Sequence, residues 1–385
     1  MVIRDVTSRR QIAVFLAVLA FAGLDTRANV AKYDARLAAD TTRGVENGLV
    51  WIDAATLPME SKLCDGTSAP YGRIPRRFID SVPDGVRGMA NHTTGHYFRF
   101  RTDSGALGVR WECAQKREND PYIPPQGMYG VDVYTRQNGI WKFVGNGRLD
   151  CVRDSKTGKV AAWDEMVVGL PGKEDREVLV YLPIRAEIRW VKLGLKPGAK
   201  LEPVRAAGGN GKPVVHYGTS LVHGGCASRP GLVFTSLAAR ELDVDYVNLG
   251  FSGSARLEPV MADVMATREA SLYIVDTVWN CDEELIRTRT EPFLRRIHEL
   301  RPETPILICE GPEAAGWRLG TNEELKKVHA RLKGCGSLDG RLHYLAADGM
   351  LPLDGESTHD YIHPNDYGSI ALGRVFAAKI REILK

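Results

Sequence analysis

The sequence is poor in the residues and spacings that mark metal centres and disulfide frameworks. Its cysteines, at positions 64, 113, 151, 226, 281, 309 and 335, are odd in number and form no Cys-x-x-Cys pair. There is no His-Glu-x-x-His motif, so the histidines at 216, 223, 359 and 363 lack the spacing of a ligand set. We expect no metal, no cofactor, mostly buried cysteines and at least one free thiol.

An excess of charge of one sign is also absent. The 51 Lys and Arg residues nearly balance the 48 Asp and Glu residues, and no dense basic run with interleaved aromatics occurs. We therefore expect no nucleic acid partner. A hydrophobic share of 44% and a charged share of 26% are typical of a folded globular protein, and 385 residues suffice for two domains.

The apolar run from Ile12 to Leu24 is shorter than the roughly 20 residues that a membrane helix needs. It follows Arg9 and Arg10 and is succeeded by small residues, ending at Ala28. This order predicts a cleaved export signal at residues 1–28 and a periplasmic or extracellular protein without stable membrane insertion. A buried helix or a membrane anchor is the alternative, and Ser8-Arg9-Arg10 leaves the twin-arginine route open.

Residues 29–207 are predicted to form an antiparallel β-sandwich, because short alternating runs are separated by turn residues. One hairpin is predicted around 103–105 and a second around 137–139. The predicted strands are 97–101, 106–111, 131–134, 140–144, 177–182 and 188–193. The aromatic rings of Trp111, Trp141 and Trp190 are assigned to the core rather than to a sugar-binding platform.

A Gly- and Pro-rich stretch at 208–213 precedes a change of rhythm, and residues 208–385 are predicted to form a second domain. Predicted strands at 214–217, 246–249, 272–275, 306–309 and 342–345 alternate with predicted helices at 231–242, 257–266, 290–300, 322–332 and 367–384. This alternation predicts a three-layer α/β/α parallel sheet that binds its ligand at the carboxyl ends of the strands.

Polar residues with catalytic chemistry follow several of these strands. Ser220 lies in Gly218-Thr219-Ser220-Leu221, and Gly253 and Asn280 follow the next two strands. Each of these could equally serve a turn or a helix cap. Asp360 and His363 share one loop, and their spacing lets a carboxylate bind Nδ1 of the imidazole while Nε2 faces a nucleophile.

The order and spacing of these blocks resemble the SGNH (GDSL-like) hydrolases over residues 214–384. The resemblance implies that Ser220 is the nucleophile, Asp360 and His363 complete the triad, and Ser220, Gly253 and Asn280 supply the oxyanion hole. Gly250 is the alternative to Gly253. Two departures are Thr219, where the family has Asp, and Val278-Trp279-Asn280-Cys281, where it has Gly-x-Asn-Asp.

The first domain resembles the Gly-x-Asp-Leu-Tyr domain that precedes a bacterial branch of these hydrolases, through Gly130-Val131-Asp132-Val133-Tyr134. The resemblance implies a secreted esterase that hydrolyses short-chain esters, acetyl esters first among them, on small molecules or glycans. A lysophospholipase or thioesterase and a non-catalytic carbohydrate-binding protein are the alternatives. An α/β-hydrolase elbow is disfavoured because Val222 replaces its second glycine. His223 and Arg229 are expected to line the substrate pocket.

Overall fold

A computed structural model of the chain describes residues 44–114, 120–147, 163–170, 174–312, 318–334, 336–338, 340–352 and 354–385. The predicted export signal, Cys151 and Cys335 lie outside these ranges. Within them, no helix is both long enough and apolar enough to cross a membrane.

The N-terminal part is a sandwich of two antiparallel sheets. Its strands are β1 (Val45–Glu46), β2 (Leu49–Asp53), β3 (Tyr97–Thr102), β4 (Ala106–Cys113), β5 (Asp132–Gln137), β6 (Ile140–Asn146), β7 (Trp163–Gly169), β8 (Arg176–Tyr181), β9 (Ile188–Leu195) and β10 (Glu202–Pro203). One sheet has the order β1-β2-β9-β4-β7 and the other β10-β3-β8-β5-β6. Apolar side chains of both sheets interdigitate between them to form one core.

The two predicted hairpins have different outcomes. Strands β5 and β6 pair antiparallel across Asn138-Gly139, as predicted, and Asn138 has a φ of +50° that suits such a turn. The other prediction was wrong, because β3 pairs with β8 and β10 whereas β4 pairs with β7 and β9. The turn at residues 103–105 therefore carries the chain from one sheet to the other.

The tryptophans of the sandwich differ in burial. Trp111 is fully buried in the core, and its indole N–H donates to the carbonyl of Tyr129 at 2.8 Å. Trp141 and Trp190 are only partly buried. Trp190 donates to Glu112 at 2.5 Å. The assignment to the core therefore holds fully for Trp111 alone.

The C-terminal part is a parallel sheet covered by helices on both faces, as predicted. Its strands are β11 (Val214–Gly218), β12 (Tyr246–Gly250), β13 (Leu272–Asp276), β14 (Ile306–Cys309) and β15 (Leu342–Leu345). Their order, β12-β11-β13-β14-β15, is that of a flavodoxin-like doubly wound sheet. Strands β11 to β14 are fully buried and mainly apolar because helices cover both faces of the sheet, and His216, Asn248 and Asp276 are their buried polar residues.

Eight α-helices occur in the parts of the chain that the structure describes. They are α1 (Asp84–Gly88), α2 (Pro125–Tyr129), α3 (Ser220–His223), α4 (Phe234–Leu242), α5 (Pro259–Met265), α6 (Glu283–Leu300), α7 (Leu319–Leu332) and α8 (Asp366–Ile383). Short 3-10 turns lie at Ala54–Thr56, Arg76–Phe78, Gly209–Gly211, Pro230–Leu232, Val278–Asn280 and Gly336–Leu338. The side chains of Asp282 and Asn365 cap the long helices α6 and α8 by accepting N–H groups of their first turns.

The connection between two sandwich strands contributes to the hydrophobic core of the parallel-sheet part. The connection between β2 and β3, residues 54–96, leaves the sandwich and packs Leu63, Ile74 and Val86 against one face of the parallel sheet. A second joint is polar: the fully buried carboxylate of Asp132 accepts from the guanidinium of Arg229 and from the N–H of Gly231, both at 2.8 Å. The Gly-x-Asp-Leu-Tyr-like signature therefore docks the sandwich onto the parallel-sheet part.

Candidate active site

Ser220 stands at the first position of α3, directly after β11. Gly218 ends that strand, and a Cβ at this position would lie 2.4 Å from Cγ2 of Val222 and 2.7 Å from the carbonyl oxygen of Asp276. Only glycine therefore lets the strand turn so sharply into the helix. The turn exposes 8% of Ser220 at the floor of a pocket.

A continuous hydrogen-bonded chain joins Ser220 to His363 and Asp360. Nε2 of His363 lies 2.8 Å from Oγ of Ser220, and Nδ1 lies 2.7 Å from Oδ2 of Asp360. The carbonyl of Pro364 also accepts the N–H of Cys226 at 3.2 Å, which ties the histidine loop to the serine loop. The structure thus assembles three side chains that are 143 residues apart in the chain at their extremes.

The Asp360 carboxylate also shapes its own loop. Its Oδ1 accepts the backbone N–H groups of Ile362 at 3.0 Å and His363 at 2.7 Å, and Tyr361 between them has a φ of +66°. Burial opposes ionisation of this carboxylate, but the hydrogen bonds from His363 and Ile362 outweigh burial and lower the pKa of Asp360 below 3.8. Asp360 is therefore an anion at neutral pH.

Three residues with hydrogen-bond donors line the pocket beside one another. Ser220, Gly253 and Asn280 all line the same pocket, at the ends of the adjacent strands β11, β12 and β13. In the described part of the chain, the N–H groups of Ser220 and Gly253 have no acceptor. Oδ1 of Asn280 accepts the N–H of Ala255 at 3.2 Å, which leaves its NH2 group as the end available to a ligand.

Arg318 binds the backbone of the Asn280 turn. Its guanidinium donates to the carbonyl of Trp279 at 3.1 Å and to that of Cys281 at 3.3 Å, the two residues that flank Asn280. It also lies over the Trp279 ring, 5.4 Å from the centroid. Arg318 thus fixes the backbone on both sides of Asn280, in the segment Val278-Trp279-Asn280-Cys281 that departs from the family's Gly-x-Asn-Asp.

Gly250, the alternative to Gly253, is already engaged. Its N–H donates to Oδ1 of Asn248 at 2.9 Å, and a Cβ there would lie 2.1 Å from the backbone nitrogen of His223. Gly253 has a φ of +69° and open space around its Cβ position. The free N–H on the pocket wall is therefore that of Gly253.

The pocket has a volume of about 390 Å³ and draws residues from both parts of the chain. Its walls include Trp279, Ile362 and Arg318 near the strand ends and three residues of the N-terminal part, Asp120, Tyr122 and Arg185. Arg185 and Asp120 form an ion pair at 3.5 Å. The sequence carries no motif for these three residues, which lie in loops beyond the predicted strands.

His223 and Arg229 do not line this pocket, contrary to expectation. His223 is 1% exposed and lies behind Ser252, whose Oγ is 3.0 Å from its Nδ1. Arg229 binds Asp132 and the hydroxyl of Tyr134 at the joint between the two parts. Both follow Ser220 closely in the sequence, but the backbone turns them away from the cleft.

Two other reactive side chains are inert in this setting. Cys226 lines the pocket, but burial and the nearby Asp360 raise the pKa of its thiol to about 12, so it is not a thiolate nucleophile. His216 is fully buried within β11, where its Nδ1 is 2.8 Å from the hydroxyl of Tyr246. Among the described residues, no group of three or more His, Cys, Asp and Glu could hold a metal ion.

Comparisons with known proteins agree with this geometry. The profile of the GDSL-like lipase/acylhydrolase family matches residues 211–381, and that of the GxDLY N-terminus of SGNH-hydrolase-type esterases matches residues 49–201. No curated protein sequence matches the chain.

Solved structures share the fold over nearly their whole length. A GDSL-like lipase from Bacteroides ovatus is 24% identical, with 87% of this chain and 98% of that chain covered and a TM-score of 0.76. A salicylyl-acyltransferase from a tetracycline biosynthetic pathway is 23% identical, with coverage of 86% and 96% and a TM-score of 0.69. A family two carbohydrate esterase from Cellvibrio japonicus is 13% identical, with coverage of 87% and 98% and a TM-score of 0.54.

The protein has a flavodoxin-like sheet with Ser220 at its carboxyl edge, and a β-sandwich docks onto the part that contains this sheet. These features together define the class of SGNH-type hydrolases. The matches over both parts make the assignment specific. The chain belongs to the GDSL-like lipase/acylhydrolase family, in the branch with a GxDLY N-terminal domain, and is a carboxylic ester hydrolase.

Proposed function

We propose that the chain is an exported serine esterase that removes short acyl groups, acetyl above all, from carbohydrate esters. Ser220, His363 and Asp360 form its catalytic triad. The observation that carries this proposal is the chain of hydrogen bonds at 2.8 and 2.7 Å that joins these three side chains on the wall of an open pocket.

In the proposed mechanism, neutral His363 takes the proton of Ser220 through Nε2 as Oγ attacks the ester carbonyl. Asp360 binds Nδ1–H, which keeps Nε2 unprotonated beforehand and stabilises the imidazolium afterwards. The imidazolium then protonates the leaving alcohol, and an acyl-enzyme remains. Water attacks this ester with His363 again as base, and the acid is released.

The negative oxygen of the tetrahedral intermediate is met by the N–H groups of Ser220 and Gly253 and by the amide of Asn280. These donors are fixed before the substrate binds, because α3, the turn at Gly253 and the Arg318-bound turn at Asn280 are each held by other contacts. Fixed donors do not have to reorganise as charge develops, which is the main source of their catalytic effect.

The preference for short acyl groups is supported by the size and lining of the pocket. About 390 Å³ lies at the lower end of the range of roughly 300–1,000 Å³ seen for small-molecule sites. Trp279, Ile362 and Tyr122 are the large apolar or aromatic side chains on its described walls, and the other walls carry charged or small residues, so a long acyl chain would find no extended apolar groove. The fold shared with a carbohydrate esterase supports a sugar as the alcohol.

The test is hydrolysis of p-nitrophenyl acetate and p-nitrophenyl decanoate by the purified protein and by Ser220→Ala. We expect the acetate to be turned over faster and the variant to lose at least 1,000-fold in kcat, since removing a triad member leaves only residual catalysis. Cys226→Ala is the matched control, because Cys226 lines the same pocket but its side chain takes no part in the hydrogen bonds that join Ser220, His363 and Asp360.

The outcomes separate the alternatives. Equal turnover by Ser220→Ala and the wild type would exclude Ser220 as nucleophile. Faster decanoate hydrolysis would indicate a lysophospholipase or thioesterase. Binding of glycans without turnover of any acetate ester would indicate a carbohydrate-binding protein. Acetyl release from acetylated glycans, followed by acetate detection, then identifies the sugar.

A further inference from the structure

The turn that carries Gly253 is supported from behind by the N-terminal part of the chain. Residues 250–253 begin with the last residue of β12 and end at Gly253, which lines the pocket and has open space around its Cβ position. On the opposite side, the β2–β3 connection of residues 54–96 brings two polar side chains, Arg73 and His92, up to this turn. We call residues 250–253 the oxyanion turn.

Arg73 binds the start of the oxyanion turn. Its Nη1 donates to the carbonyl of Gly250 at 2.6 Å, its Nη2 donates to that of Met89 at 2.8 Å, and its guanidinium lies 4.5 Å from the Phe251 ring centroid. The side chain is 1% exposed and has no carboxylate partner within the described ranges. Burial lowers the pKa of Arg73 to about 9, so it remains a cation at neutral pH.

A buried cation without an anionic partner is costly, and an apolar side chain of similar length would avoid that cost. Arg73 offsets it by binding carbonyls of both parts of the chain at once. The arrangement fixes the carbonyl of Gly250 and the ring of Phe251, and so the direction in which the chain leaves β12 towards Gly253.

His92 acts on the other end of the oxyanion turn through His223. Nδ1 of His92 is 3.2 Å from Nε2 of His223, and Nδ1 of His223 lies 3.0 Å from Oγ and 3.4 Å from the backbone nitrogen of Ser252. A backbone N–H can only donate, so Nδ1 of His223 accepts and its Nε2 carries the hydrogen that is donated to His92.

Both imidazoles are neutral, which this pattern requires. Burial, with the nearby Arg73 and Arg185 adding to it, lowers the pKa of His92 to about 3 and that of His223 well below its ordinary value. The direction of donation therefore runs from Ser252 through His223 to His92 over the whole working range of pH. Ser252 is the immediate neighbour of Gly253.

We propose that Arg73 and His92 are positioning residues for the oxyanion hole, which hold the oxyanion turn so that the Gly253 N–H points at the reacting carbonyl. This inference rests on the proposed function. It gives the N-terminal part a role in the chemical step, beyond docking through Asp132.

The experiment compares His92→Phe with His92→Asn and Arg73→Met with Arg73→Lys, all in the full chain. His92→Phe keeps a ring but removes the acceptor, whereas Oδ1 of an asparagine can take the place of Nδ1. For p-nitrophenyl acetate we expect kcat to fall at least tenfold in His92→Phe and Arg73→Met with KM changed less than twofold. His92→Asn should recover most of the loss.

Two further readouts separate positioning from general stability. The inhibition constant of phenylboronic acid, which forms a tetrahedral adduct with a nucleophilic serine, should rise by the same factor as kcat falls. Amide hydrogen exchange of the peptide that contains residues 250–254 should be faster in His92→Phe, and this readout needs no turnover.

Unchanged kcat and exchange in a folded His92→Phe variant would overturn the inference, as would a rise in KM at constant kcat. If Arg73→Met does not fold, the His92 pair decides alone. If the wild type hydrolyses no ester, the proposed function fails on the Ser220 experiment. Faster amide exchange in His92→Phe would even then show that His92 stabilises the oxyanion turn.

Discussion

Replacing Asp360 by asparagine separates the charge of this side chain from its role in shaping the loop. Oδ1 of the asparagine can still accept the N–H groups of Ile362 and His363, now at 3.0 and 2.7 Å. The atom that faces Nδ1 of His363, at 2.7 Å, becomes an NH2 donor instead of a carboxylate oxygen. Nδ1 must then accept, which places the hydrogen on Nε2, opposite Oγ of Ser220.

A histidine with hydrogen on Nε2 cannot take the proton of Ser220. The wrong tautomer in a serine triad costs about 10⁴-fold in kcat, which corresponds to about 5 kcal/mol of transition-state free energy. We therefore expect Asp360→Asn to lose about 10⁴-fold in kcat for p-nitrophenyl acetate while KM changes little. Its melting temperature at neutral pH should fall only by the stabilisation that the ionised carboxylate adds.

Asp360→Ala is the companion variant, because it removes the loop hydrogen bonds as well as the charge. It should be as inactive as Asp360→Asn but melt at a lower temperature, since Tyr361 loses the contacts that hold its left-handed backbone. An Asp360→Asn variant with more than a tenth of wild-type kcat at pH 7 would refute the tautomer argument. Equal melting temperatures for both variants would refute the loop argument.

Other predictions concern the oxyanion donors, the glycines after β12, the joint between the two parts and the pH dependence of stability. Asn280→Ala should lower kcat about 100- to 1,000-fold with little change in KM, measured with p-nitrophenyl acetate. Gly250→Ala should lower the free energy of unfolding by about 3 kcal/mol, because the new Cβ would meet the His223 backbone at 2.1 Å. Gly253→Ala should lower the free energy of unfolding by only about 1 kcal/mol, because its Cβ position is open and only the φ of +69° is unfavourable. Asp132→Ala should cost about 3–5 kcal/mol in urea unfolding, because it leaves the Arg229 guanidinium unpaired at the joint. The pKa of Asp360 is lowered in the folded protein, so the ionised carboxylate stabilises the fold. This stabilisation is complete above about pH 4 and is lost as the pH falls through the lowered pKa. The melting temperatures of the wild type and Asp360→Asn should therefore converge in acid.

Each of these has a clear opposite result. A normal kcat for Asn280→Ala would remove Asn280 from the oxyanion hole. Equal destabilisation by the two glycine variants would mean that the space around Gly250 is not as tight as the 2.1 Å contact implies. A melting difference between wild type and Asp360→Asn that persists below pH 3 would show that the Asp360 charge is not its source.

Much of the candidate site could be predicted from the sequence because parallel strands end at one edge of a sheet. Ser220, Gly253 and Asn280 each follow a predicted strand, and β11, β12 and β13 are neighbours in the observed order. The three-residue spacing of Asp360 and His363 predicted their hydrogen bond, since both lie in one short loop. Local spacing and strand order were sufficient for these contacts.

The errors arose where the direction of a side chain or the partner of a strand mattered. Alternation located β3 and β4 correctly but could not show that they belong to different sheets. Closeness to Ser220 in the sequence suggested pocket roles for His223 and Arg229, yet His223 at the end of α3 and Arg229 beyond it both make interior contacts. Periodicity reports which residues share a face, and it does not report what that face meets.

The sequence by itself determined the alternation of strands and helices in the C-terminal part and the residues that meet at the carboxyl edge of its sheet, because these depend on local periodicity and spacing. Its motifs also carried the resemblance to the family. Only the tertiary structure decided that Gly253 rather than Gly250 offers a free N–H, and that Arg185 reaches the pocket. It also placed Arg73 and His92 behind the oxyanion turn. The contacts of Arg73 with Gly250 and of His92 with His223 join residues more than a hundred positions apart, and they are set by how the two parts pack, which no local pattern encodes.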